Sequence, residues 1–271
     1  MAEKLLRKPT GEMEFVGWRL RLEKEIEILA RCSHPHIVEF LGYSEVDVGY
    51  SIFMALQEGS LASLTFPNPQ PDSWVCKLFI KHTLLALQYF AANGITHRDV
   101  KPDNILYTTR NGKPHFQLAD FGSSMYQADR DDYCGTPVYA APEIYYHMPQ
   151  TPKADIWSLF VSIAEVLNVH GFRQTRRRLT ELFQPSTNDS EKYEMVEQAV
   201  WEVACSPGLT NIQDMAHGQA EKRPSAAELL IRLADQLEGA PCTREVEMTD
   251  IISRSSNTSH DIEERHYTFF S

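Results

Sequence analysis

The stretch ITHRDVKPDNILY, residues 95–107, sets His97, Arg98, Asp99, Lys101, Asp103 and Asn104 between apolar flanks. Loops are commonly polar, but few hold so many chemical groups so tightly between hydrophobic anchors. A carboxylate, an ammonium and a carboxamide at such close quarters ask for a chemical role. Sixteen residues beyond Asn104 stands Asp120-Phe121-Gly122, a second carboxylate in a turn-forming context. Gly135-Thr136-Pro137-Val138-Tyr139-Ala140-Ala141-Pro142-Glu143 follows.

These segments need a scaffold, and the hydrophobic pattern supplies candidates. Over residues 18–32, Leu22, Ile26 and Leu29 recur at offsets of four and three, which predicts one apolar helix face. HIVEFLGY (36–43) and YSIFMAL (50–56) read as strands around the turn-rich SEVDVG. Residues 60–73, rich in Pro, Ser and Asn, read as a connector. From Trp74 to Asn93 the apolar Val75, Leu78, Phe79, Leu85, Ala86 and Tyr89 keep a helical period, and Gly94 supplies the stop. ILYTT and FQLAD flank RNGKP, whose Asn111-Gly112 predicts a hairpin turn. KADIWSLFVSIAEVLN (153–168) is apolar around most of its circumference, the mark of a buried helix. Ser225 with Glu228 predicts a capping box opening a helix that runs to about Leu237. The balance is α+β, with a small strand-bearing N-terminal part and a large helical part.

Bulk properties bound the function. The chain has 271 residues, 42% hydrophobic and 23% charged, ordinary for a globular protein. Its apolar runs are shorter than the roughly 18 residues of a membrane helix. The N-terminal MAEKLLRKPTGEME has no apolar stretch behind a basic start and is not expected to be a secretory signal. Cys32, Cys76, Cys134, Cys205 and Cys242 are odd in number and form no CxxC pair, against a disulfide framework or a zinc site. A net charge of −11 disfavours nucleic acid and anionic membranes as partners. Cytoplasm or nucleus is the expected compartment.

The octet His97–Asn104, with Asp99 and Asn104 five apart, resembles the catalytic loop of the eukaryotic protein kinases. Asp120-Phe121-Gly122 and the GTPVYAAPE stretch resemble that family's metal-binding turn and activation-segment end, and the likeness covers roughly residues 1–238. The resemblance implies a two-lobed fold and transfer of the ATP γ-phosphate. Phosphoryl groups pass through a loose, highly charged transition state, so such a protein mainly positions and neutralises. By resemblance, Asp99 accepts the proton of the substrate hydroxyl and Lys101 balances γ-phosphate charge, while Asn104 and Asp120 offer oxygen ligands to Mg²⁺. Lys101 together with Gly135-Thr136-Pro137 looks like the serine/threonine branch, with Ser/Thr hydroxyls of proteins as substrate. Glu143 is expected to pair with Arg223, and Asp155 to hold the catalytic-loop backbone. Leu29, Phe40, His97 and Phe121 fall at positions of the family's stacked spine. Phe160 departs from the family's usual Gly, with local repacking as the expected cost.

The nucleotide-covering half is less complete. No G-x-G-x-x-G occurs before residue 40, where only Gly11 and Gly17 appear. The expectation is that the chain begins after the two strands carrying such a loop, as a fragment, a truncated gene model or a degraded kinase. The alternative function is therefore a pseudokinase or truncated kinase acting as a binding or scaffold module. Lys4 in MAEKLL resembles the family's strand lysine and Glu25 the helix glutamate that pairs with it. Met54 resembles the hinge gatekeeper, Ala55-Leu56-Gln57 would face adenine with backbone groups, and Leu106 would join Lys4, Glu25, Ala55 and Gln57 in the ATP site. The resemblance divides the chain into a small-lobe remnant (1–56), a helical lobe (57–238) and a polar tail (239–271) expected to be loosely ordered and containing SRSSNTS.

Three weaker signals remain. Asp131 and Asp132 are expected either to substitute for an activation-loop phosphate by pairing with Arg98 or to be solvated. Arg173 and Arg176–Arg178 form one basic cluster, read as a solvated face or a docking site for acidic partners. Cys134 is read as a packing residue.

Overall fold

The structure, a computed structural model, describes residues 1–64, 74–126, 135–183 and 189–238. The expectations for Asp131, Asp132, Cys134 and the tail from residue 239 lie outside the described residues.

Strand β1 (Ala2–Arg7) alternates strictly between half-buried and exposed positions, so Ala2, Lys4 and Leu6 share the inner face. Helix α1 (Glu12–Arg31) begins earlier than the periodicity predicts. Its first turns pack by aromatic contact rather than by a repeating apolar stripe: Phe15 stacks on Trp18 at 5.8 Å, and Trp18 meets Tyr50 at 5.9 Å. The buried stripe of α1 is Leu22, Glu25, Ile28 and Leu29, so a glutamate is carried inward on the apolar face.

Strands β2 (Phe40–Val46) and β3 (Gly49–Met54) form a hairpin shifted from its expected bounds. The correction falls on residues 36–39. Val38 N–H donates to Leu118 O at 3.0 Å and Leu118 N–H to His36 O at 2.9 Å, so residues 36–38 bridge to a later strand, and only Glu39 O turns to the β3 side, accepting the Ala55 N–H. Burial of Ile37 and Val38 explains why it reads as strand. The first sheet has the order β1-β3-β2, antiparallel throughout, with Lys4 opposite Ile52.

Strand β4 (Gly59–Ser60) precedes helix α2 (Trp74–Ala92) and strand β5 (Ile95–Thr96). Strands β6 (Ile105–Arg110) and β7 (Lys113–Leu118) close the expected hairpin, and β4 completes a sheet of order β4-β6-β7. Asn111 at φ 53° and Gly112 at φ 72° occupy the two left-handed turn positions that this dipeptide suits. Strand β8 (Met125–Tyr126) pairs with β5 on either side of the catalytic-loop stretch.

The rest is helical: α3 (Pro142–Tyr145), α4 (Lys153–Leu167), α5 (Phe172–Leu182), α6 (Asp189–Ala204), α7 (Ala226–Arg232) and α8 (Ala234–Glu238). Helix α4 is buried around nearly its whole circumference, and Phe160 is fully enclosed. Ser225 and Glu228 form the predicted capping box, but the helix they open breaks at Leu233 into two pieces. One core cluster runs from Leu22, Leu29 and Ile52 through Phe79, Phe90 and Phe121 to Trp157 and Leu229, so the small sheet and the helical body share a single apolar interior.

The basic cluster is partly an internal fastening. Arg173 donates to Glu165 O at 2.9 Å and Val166 O at 2.7 Å, closing the end of α4, and Arg176 lies 2.7 Å from the Glu165 carboxylate. Only Arg177 and Arg178 are exposed.

Glu143 and Arg223 meet in a two-pronged pair at 2.7 and 2.7 Å, both buried. Arg223 also donates to His217 O (2.7 Å), Lys153 O (3.0 Å) and Gly218 O (3.1 Å), and its guanidinium faces Trp157. Removing one member of such a pair leaves a bare buried charge. Arg223→Met is therefore expected to lower unfolding free energy by about 3–5 kcal/mol in urea titration, and Glu143→Gln by less because it keeps an acceptor.

Candidate active site

The site is built outward from α4. Asp155, in its first turn and buried, accepts the backbone N–H of His97 and of Arg98, each at 2.8 Å. Burial pushes its carboxyl up to about 7, against the pull of those two donors and of the Arg98 charge. Arg98 is thereby held at φ 68°, a left-handed conformation that costs a non-glycine residue about 1–2 kcal/mol. Its side chain donates to Ser123 O at 2.6 Å.

His97 is fully buried. Its Nε2 lies 3.0 Å from Ala119 O, so that nitrogen carries the proton, and its Nδ1 accepts the Asp99 N–H at 3.3 Å. Burial pushes the ring down to about 4, keeping it neutral in the tautomer those bonds require. Phe121 lies edge-on to it at 5.5 Å, with Phe90 5.6 Å from Phe121. Leu29 is buried and Phe40 half-buried against the same core.

Asp99 emerges from this frame with both oxygens engaged. Oδ2 accepts from Lys101 Nζ and Asn104 Nδ2, each at 2.8 Å. Oδ1 accepts from Thr136 Oγ1 at 2.7 Å and Thr136 N–H at 3.0 Å. Lys101 also reaches Thr136 Oγ1 at 2.6 Å, and Asn104 Nδ2 reaches Asp99 O at 2.9 Å. Thr136 is the residue that sequence reasoning missed. The sequence marks it only as part of Gly135-Thr136-Pro137 and gives it no place at the carboxylate 37 residues away. Gly135 makes that approach possible: at φ 91°, a Cβ would lie 2.4 Å from Arg98 O.

A second group joins three further elements. Lys4 Nζ lies 2.8 Å from Glu25 Oε1 and 2.7 Å from Asp120 Oδ1. Burial alone would lower the Lys4 pKa, but the Glu25 and Asp120 charges outweigh it and the net direction is up. Burial would likewise raise Asp120, and the Lys4 charge and hydrogen bond reverse that to a net lowering. Asp120 sits at φ 64°. The two groups are tied together by Ala119 N–H donating to Asn104 O at 2.9 Å.

The remaining expected residues stand apart from these networks. Ala55 N–H donates to Glu39 O at 2.9 Å, and Gln57 Nε2 donates to Ala55 O at 3.3 Å. Leu106 lies on β6, half-buried, opposite Ser60 and Gln117. Asn104 Oδ1 and Asp120 Oδ2 form no hydrogen bond among the described residues. A carboxamide and a carboxylate oxygen with free lone pairs are the hard donors that suit a divalent ion of the Mg²⁺ type.

The chain matches the protein kinase domain family over residues 1–232. It is 34% identical over 146 residues to the serine/threonine-protein kinase ATG1a of Arabidopsis thaliana, covering 52% of this chain and 23% of that protein. The ovarian-specific serine/threonine-protein kinase Lok of Drosophila melanogaster is 34% identical over 158 residues, with 55% and 33% covered. The human serine/threonine-protein kinase ULK3 is 33% identical over 147 residues, with 53% and 31% covered. The match thus spans about a quarter to a third of these relatives. This chain belongs to the protein kinase domain family.

Lys4→Met would leave Glu25, itself buried, and Asp120 without their shared cation. We expect a loss of about 1–3 kcal/mol at pH 7. Asp120 has a lowered pKa, so its contribution is present above the unfolded carboxylate value and disappears as pH falls through the folded one. The Tm difference between wild type and Lys4→Met should thus be largest near neutrality and shrink below pH 4 in scanning calorimetry.

Proposed function

We propose that this chain is a serine/threonine protein kinase that transfers the γ-phosphate of ATP to Ser/Thr hydroxyls of proteins. The observation that carries the reading is the Asp99 carboxylate, oriented from both sides by Lys101, Asn104 and Thr136. In this reading Asp99 accepts the proton of the substrate hydroxyl. Lys101, already 2.8 Å from that carboxylate, is in reach of a phosphate brought alongside it and balances the transferred charge. Asn104 and Asp120 would hold Mg²⁺, which neutralises the nucleotide phosphates. Lys4, braced by Glu25, would take the α/β-phosphates when ATP enters. Ala55 and Gln57 would meet adenine, Gln57 first releasing the Ala55 carbonyl to which its amide now donates. Leu106 would underlie the base. Residues 1–56 would serve as the nucleotide-covering part and 57–238 as the body that carries chemistry and protein substrate.

The identity of the serine/threonine relatives supports the acceptor class, as does the Lys101–Thr136 contact at 2.6 Å. The test is incorporation of radiolabelled phosphate from ATP with Mg²⁺ into a generic Ser/Thr substrate. The wild-type chain should label it, and Asp99→Ala should lower the rate by about 10²–10⁴-fold. Background incorporation by both would overturn the enzyme reading and leave a binding module.

A further inference from the structure

Three histidines from separate elements converge: His36 on the connector before β2, His82 on α2 and His115 on β7. One ring nitrogen from each lies within 4.8 Å of the others, and all three side chains are half-buried. The His36 and His82 rings stack at 4.0 Å, with His115 at 4.7 Å from His36 and 5.2 Å from His82. The phosphoryl-transfer reading uses none of these residues.

The backbone fixes which nitrogens are available. His36 Nδ1 lies 3.0 Å from Phe116 O and His115 Nε2 lies 2.8 Å from Pro35 O. A carbonyl oxygen only accepts, so those nitrogens carry the protons. The lone pairs are left on His36 Nε2 and His115 Nδ1. Metal-bound imidazoles use the same arrangement, one nitrogen ligating while the other donates to a carbonyl. His82 Nδ1 accepts the Phe116 N–H at 3.2 Å, the longest of the three bonds. It would exchange that donor for an ion by rotating its ring out of the stack.

We propose that His36, His82 and His115 form a three-imidazole site for a divalent transition ion of the Zn²⁺ class, with water in the fourth position. Imidazole suits Zn²⁺, whereas Mg²⁺ and Ca²⁺ prefer oxygen donors, and the cluster contains no carboxylate. Burial holds the His36 ring down at about 4 and the His82 ring at about 3, so the ligands are neutral at pH 7 without proton loss. Arg110 and Lys81, which add to those shifts, oppose any ion held by charge alone. The site clasps the 33–39 connector to α2 and β7, where Gln117 Nε2 already reaches Pro35 O (3.0 Å) and Ile37 O (3.1 Å). Strand β7 leads directly into Ala119-Asp120, so the clasp would stiffen the joint between the small sheet and the catalytic body.

The test titrates Co²⁺ and Zn²⁺ into the full chain. One equivalent of Co²⁺ should give visible d–d bands of a low-coordinate site without a thiolate charge-transfer band, and Zn²⁺ should displace it. Zn²⁺ in hundredfold excess over Kd should raise Tm by about 3 °C or more. His82→Phe, which keeps a stacking ring, and His115→Asn, which keeps a donor for Pro35 O, should each weaken Co²⁺ binding at least tenfold. In the wild-type chain, Zn²⁺ should shift the imidazole ¹⁵N resonances of these three histidines, a readout that needs no variant. No Co²⁺ binding up to millimolar concentration, unchanged binding in the folded variants, or shifts at other histidines would overturn the site.

Discussion

The geometry of the candidate site hangs on one buried carboxylate behind it. Asp155 enters the core in the first turn of α4, where the helix N-terminus favours negative charge, and grips two consecutive backbone N–H groups. Those two bonds hold Arg98 in a left-handed conformation that its own side chain disfavours. Arg98 turned back into an ordinary conformation would swing Asp99 away from Lys101, Asn104 and Thr136. The strain persists because α4 is buried on nearly every side and cannot yield.

The same logic of over-determination applies to the charges. Asp99 is nearly enclosed yet accepts four hydrogen bonds, two on each oxygen. Arg223 sits in the core with a carboxylate and three carbonyls around it. Glu25, also buried, is answered by Lys4 from β1, 21 residues earlier in the chain. That pair and Asp120 form the polar seam between the small sheet and the helical body, whose apolar residues form one cluster. Opening the joint would therefore disturb an ion network and a hydrophobic core together.

Much of this was legible in the sequence because it was local. The hairpin at Asn111-Gly112, the capping box of Ser225 with Glu228 and the all-round apolar α4 are signals read within a few residues. The early start of α1 was not legible, since Trp18 and Tyr50 stabilise it from another element. The strand expected over residues 36–39 was wrong for a related reason. Its apolar run reports burial, and burial alone does not say which strand will take its hydrogen bonds.

The site divides along the same line. The sequence by itself singled out Asp99, Lys101, Asn104 and Asp120, because they sit in short motifs that are read within a few residues. It also determined the family to which the chain belongs. Only the tertiary structure decided that Thr136 closes on Asp99, that Lys4, expected from the sequence to pair with Glu25, also reaches Asp120, and that three histidines share one patch. These contacts span between 21 and 116 residues of chain among the polar pairs. Their formation depends on helix faces and strand registers that place Lys4 inward, α1 with Glu25 toward it, and Gly135 near enough to Arg98 for the backbone to pass. Distance along the chain carries no such information; the packing of the shared core supplies it.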